Sequence, residues 1–186
     1  MSNLDELRLD CAVKQKRGLH FILASVFVWL TISIIHLTEL HILTKNLYTF
    51  FCTGFLFPLA MLISKIIKAD FQNKRNPLTM LGVLFALNQL LYLIIAMWVY
   101  PTIPDKMLMV LAIIFGAHLL PFGWLYKSRF YTVLAIAVPI IALVVGITYQ
   151  PYVLALSMFV IEILFSIGLM FENKKLKFET ENNLYL

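Results

Sequence analysis

The chain has 186 residues, 61% of them hydrophobic and 13% charged, with a mean hydropathy of +0.88 and a net charge of +5. A water-soluble fold of this length could not hide so much apolar surface, so lipid must act as solvent for much of it. The basic balance does not point to nucleic acid, because the cations hug the ends of apolar runs, where they set topology and meet lipid headgroups.

Residues 1–18 form a leader. Leu4, Leu7 and Cys11 recur at spacings of three and four among Asp5, Glu6, Arg8 and Asp10. That pattern fits a short interfacial helix, and it fits a solvated cytoplasmic leader equally well. Six apolar runs then fill residues 19–171: Leu19–Leu37, Leu47–Ile67, Leu78–Tyr100, Met107–Tyr126, Phe130–Tyr149 and Val153–Phe171. Each approaches the ~20 residues a helix needs to cross the hydrocarbon. The first run is too long for a signal-peptide core, and no small-residue cleavage site follows it, so it is expected to stay as a membrane helix. Residues 172–186 read as a cytoplasmic basic tail.

Thirteen of the fifteen Lys and Arg residues lie on one side of these runs, in the leader, the second-to-third and fourth-to-fifth connections and the tail. Lys45 and Lys106 alone lie on the other. The predicted fold is therefore an all-α integral membrane bundle of six transmembrane helices, with N- and C-termini cytoplasmic. Tyr48, Trp98, Tyr100, Tyr149 and Tyr152 mark the outer interface, and Trp124, Tyr126 and Tyr131 the inner one. Cys11 and Cys52 fall at different depths and should be free thiols.

The informative residues are polar ones inside the runs. Counted at ~1.5 Å per residue from the cytoplasmic ends, Asn88 and Gln89 lie roughly 15 Å deep, with His118 at ~12 Å and Glu162 at ~14 Å. Three helices thus carry hydrogen-bonding or ionisable groups near one level. Such groups are costly in hydrocarbon and normally face the bundle interior. Glu162 can escape the cost by protonation or by pairing with a cation, and an interaction with His118, direct or through water, is expected. The functional reading is a chamber for a small solute, proton or ion, lined also by Tyr92 and Trp29. Interhelical glue is the structural alternative. Ser25, Trp29, Ser33 and His36 make one stripe on the first helix, either lining a path or packing. Ala142 and Gly146 read as a close-packing seam. Pro58, Pro121 and Pro139 are expected to kink their helices.

His36, Glu39 and His41 are metal-ligand types, but their spacing does not build a site and no metal is assigned. Nucleotide-binding, zinc-protease and serine-hydrolase motifs are missing, so no catalytic residue and no cofactor is assigned.

The segments Asn88-Gln89-Leu90-Leu91-Tyr92 and Gly116-Ala117-His118-Leu119-Leu120-Pro121-Phe122-Gly123-Trp124-Leu125-Tyr126 resemble those of a bacterial family of small membrane proteins described only as a domain of unknown function. The resemblance covers most of the chain. It implies a Gram-positive, Bacillus-like source and a plasma-membrane location, and it implies no activity. Size and helix count are also similar to those of the vitamin-binding subunits of energy-coupling-factor transporters, although their Ala-x-x-x-Ala docking motif is absent from the first helix. The leading expectation is a bundle that binds or moves a small solute, with proton coupling through Glu162 and His118. The alternative is a non-catalytic accessory or assembly subunit, and a lipid enzyme ranks last. Expected partners are the bilayer, a solute or proton, and a second copy or a membrane subunit.

Overall fold

A computed structural model describes the fold of residues 3–71 and 73–182, and the side chains of those up to residue 178. The described residues form α1 (Asn3–Lys14), α2 (Leu19–Leu37), α3 (Ile42–Gly54), α4 (Leu56–Ile66), α5 (Leu78–Thr102), α6 (Met107–Leu125), α7 (Arg129–Thr148) and α8 (Pro151–Asn182). Six spans are long and apolar enough to cross a bilayer, α3 and α4 together making the second.

That second span begins earlier than its apolar run and is broken at Phe55. Pro58 explains the break: it lacks the N–H that would have bonded the carbonyl of Gly54 one turn back. Pro121 and Pro139 instead lie within the continuous helices α6 and α7. The last helix runs past Phe171 as far as Asn182, so the expected tail is helical to that point. The rest of the tail, 183–186, and the leader residues 1–2 lie outside the described residues.

Neighbouring helices follow the order α4, α2, α8, α7, α6, α5, with the tightest packing between α6 and α7 and between α2 and α8. Small residues permit the α6–α7 approach. A Cβ on Gly116 would stand 2.6 Å from Pro139, one on Gly123 2.5 Å from Thr132, and one on Gly146 2.5 Å from Met109. The Ala142 and Gly146 seam is thus a close contact, and both residues are buried. Away from the leader, α3 meets α5: the Tyr100 hydroxyl donates to the Leu43 carbonyl at 3.2 Å, and Asn46 donates to that of Pro104 at 2.8 Å.

The leader forms the helix α1 and is docked on the bundle. It lies against the ends of α5, α6 and α8, with Cys11 and Ala12 completely buried. Asn76 donates to the Leu7 carbonyl and, with Asn73, to the Asp10 carboxylate, at 2.8, 2.8 and 2.7 Å. Gln15 donates to Thr79 at 3.0 Å and accepts from the Tyr126 hydroxyl at 2.8 Å. Lys16, Arg17 and Gly18 then turn the chain into α2 with φ of 48°, 50° and 68°. Left-handed backbone is unfavourable for Lys and Arg. Here it is held by Asn173 donating to the Lys16 carbonyl and Tyr131 to that of Arg17. Tyr126 and Tyr131, expected in the inner aromatic belt, are buried in this junction, and only Trp124 of that trio is exposed. Each hydroxyl finds an acceptor in the leader, which makes burial affordable for a tyrosine.

Candidate functional site in the bundle interior

The stripe on α2 faces inward: Ser25, Trp29, Ser33 and His36 are all buried. Ser33 bonds back to the Trp29 carbonyl, and His36 contacts Thr49 of α3 at 3.1 Å. Beyond His36, Glu39 is exposed and His41 caps α3 by accepting from the Leu43 amide, so the three metal-ligand types serve separate local roles. Both cysteines are free thiols. Burial pushes the Cys11 thiol above its ordinary value, keeping it in the unreactive protonated form.

Glu162 occupies the seam between α8 and α2 with 0% exposure. Its Oε2 meets the Ser25 hydroxyl, which also stands 2.7 Å from the Ile22 carbonyl. Oε1 of Glu162 and the hydroxyl of Ser166, one turn on, are buried without a hydrogen-bond partner among the described residues. The donor count is informative. Ser25 has one hydrogen and faces two acceptors if Glu162 is ionised. If Glu162 carries a proton, its O–H donates to Ser25 and Ser25 donates to Ile22, so every group on that path is served.

His118 is placed elsewhere. Its Nδ1 bonds the Phe115 carbonyl of its own helix, which requires the proton on Nδ1. Its ring lies edge-on to Phe115 and Phe122, with centroids 5.4 and 5.8 Å away. Those rings belong to an aromatic series that includes Trp29 against Phe115 and Phe85 against Phe122. No hydrogen bond joins His118 to Glu162, because Oε2 is taken by Ser25 and Oε1 has no partner. The expected direct pairing is therefore not what the structure brings together.

The α5 residues diverge further. Gln89 is half-buried on the stripe of Gly82, Phe85 and Ala96 that packs toward α6. Asn88 is exposed and donates to the Tyr92 hydroxyl at 3.2 Å, and Tyr92 is 45% exposed. Of the six residues expected around one chamber, Glu162 and Trp29 are buried in the core, His118 and Gln89 are half-buried, and Asn88 and Tyr92 look outward. Residue spacing along a helix does not give the direction in which each helix turns its polar side chains, and these six do not share one space. Among the described residues, a pocket of 740 Å³ opens beside Trp124 and another of 400 Å³ beside His36, and none of the six residues lines either.

Arg8, Arg17 and Lys127, which the sequence places at helix ends to set topology and meet headgroups, also make bonds within the fold. Arg17 is buried, donating to the Tyr126 and Glu172 carbonyls and pairing with the Glu172 carboxylate at 3.5 Å. Its place beside Gly18 at the leader-to-helix turn was the available signal.

A model of a family of unknown function, DUF7010, matches residues 4–172. The chain belongs to this family. The match includes the leader helix as well as all six spans. No curated protein and no solved structure matches the chain.

Proposed function

We propose that this family member is a bacterial plasma-membrane protein, with both termini cytoplasmic, that binds a proton or a small polar solute at Glu162 between α2 and α8. The observation that carries the reading is the hydroxyl of Ser25 caught between two acceptors. It favours a carboxyl that holds a proton when the site is closed and can release it when α2 and α8 part. An intramembrane acid is a functional group by default, because burying it serves no packing purpose that leucine would not serve better. The site is smaller than the three-helix chamber that helix depth alone implies, and His118 has no direct part in it.

Infrared difference spectra of the protein reconstituted in lipid, recorded between pH 5 and 9, test this. A protonated-carboxyl band should respond to pH or to solute and vanish in Glu162→Gln. A band insensitive to both, in a folded protein, removes the proposal.

A second reading, an accessory or assembly subunit, is favoured by α5. Only 6% of its most apolar stretch is buried, against 56% for α2, and its Asn88–Tyr92 pair presents polar groups on the exposed side. Polar pairs in that setting are satisfied by another helix. Asn88→Leu should then weaken self-association or partner capture in crosslinked membranes and leave the infrared band unchanged.

A further inference from the structure

The 740 Å³ pocket is not absorbed by the Glu162 reading. It opens where α6 ends and α7 begins, beside the leader, and three cations border it: Arg8, Lys127 and Arg129. Two are tied in place. Arg8 donates to the Trp124 carbonyl, pairs with Asp5 at 3.3 Å and lies 4.5 Å over the Trp124 ring. Lys127 reaches the same Asp5 at 3.1 Å. Arg129 differs: its backbone amide donates to Glu172, and its guanidinium has no partner among the described residues. Asp5 is thus shared between two cations, and the rim keeps an excess of positive charge.

The pocket also has a second chemistry. Ser128 and Thr132 also border it, the Ser128 hydroxyl capping α7 by accepting from the Tyr131 amide and the Thr132 hydroxyl donating to the Ser128 carbonyl. On the side toward the span, the wall passes into Leu120 and Val133, which are 50% and 62% exposed. A soluble anion would use the cations and leave that wall idle. A phospholipid uses both.

We infer that this pocket binds the headgroup of an anionic phospholipid, its phosphodiester held by Arg129 and Lys127 and an acyl chain lying against Leu120 and Val133. Basic pockets between helices at a membrane interface suit such headgroups, and Arg matches phosphate geometry through paired donors. The inference stands independently of Glu162, because no residue is shared between the two sites.

The test is native mass spectrometry of the full chain released from nanodiscs of phosphatidylglycerol mixed equally with phosphatidylcholine. Phosphatidylglycerol should be retained preferentially, and Arg129→Gln should lower that retention about fivefold. Lys174→Gln, which removes an exposed cation outside the pocket, should leave it unchanged. Arg129 makes no side-chain bond to the fold, so a melting temperature equal to the parent's is expected and separates lost binding from lost structure. Equal retention of the two lipids overturns the inference, as does equal loss in the two variants, which would mean diffuse surface attraction. A parallel titration with inorganic phosphate in neutral detergent distinguishes the sources: stabilisation matching that by phosphatidylglycerol would mark a soluble-anion site and sink the lipid assignment.

Discussion

Polar groups at the leader end and polar groups in the middle of the bundle are treated differently by the same fold. At the leader end they bond across elements: Asp10 to Asn73 and Asn76, Gln15 to Thr79 and Tyr126, Arg17 to Glu172, Tyr131 to the Arg17 carbonyl. In the middle, His118, Ser33 and Asn88 bond within their own helices, and Glu162 reaches one partner on α2. The first region specifies how the helices are assembled. The second makes fewer bonds between helices, the Ser25–Glu162 contact being the one among those named. Water explains part of the contrast. Near the interface an unbonded polar group has alternatives, so directional bonds there select one arrangement, whereas in hydrocarbon each helix satisfies its own groups first.

The largest expected effect lies at the leader end. Arg17→Ala removes a buried cation and leaves the Tyr126 and Glu172 carbonyls and the Glu172 carboxylate without that donor. Breaking a buried pair in this way costs about 3 kcal/mol. Reversible unfolding of the purified protein in mixed micelles would measure it. A loss under about 1 kcal/mol would mean that the junction is a consequence of assembly and not its cause.

The helices themselves were legible because hydropathy is a one-dimensional property. Leu19–Leu37 is recovered end for end, and the run read as Phe130–Tyr149 is displaced by one residue in α7. The early start at Ile42 was hidden by Lys45 and Asn46, polar residues whose side-chain nitrogens donate to the His36 and Pro104 carbonyls. Docking of the leader was hidden for a related reason. Asn73 and Asn76 look like ordinary loop residues until α1 is seen to supply the carboxylate and carbonyl they serve. Facing was the remaining difficulty: counting residues assigns Asn88 and Glu162 similar depths, yet one is exposed and the other sealed.

A medium effect comes from acid. Partial burial pushes the Asp10 carboxyl up, but Lys14 together with Asn76 and Asn73 outweighs it and holds the group below its ordinary 3.8. A lowered folded value means that the stabilisation is present above the ordinary 3.8 and is lost as the pH falls below it through the lower folded value. Because Asp10 is partly open to solvent, screening limits the contribution to roughly 1 kcal/mol. Melting curves at pH 7 and pH 3 should therefore show a larger acid loss in the parent than in Asp10→Asn. Equal losses would detach Asp10 from the lock.

The smallest stability effect is expected at the residue given the functional role, which is the sharpest form of the comparison. Interhelical polar bonds in membranes average only about 0.6 kcal/mol. Replacing both partners by apolar groups, as in Ser25→Ala with Glu162→Leu, removes the bond together with the burial of a carboxyl, two terms that nearly cancel or leave a gain. The double variant should therefore unfold within about 1 kcal/mol of the parent, or later, while losing the protonated-carboxyl band assigned to Glu162. A structural clamp predicts the reverse, a loss of 2 kcal/mol or more comparable to a broken buried network. If the clamp result is obtained, α2 and α8 are held by Glu162 in the same manner as the leader is held by Arg17, the contrast between the two regions disappears, and the assembly reading based on α5 becomes the better account.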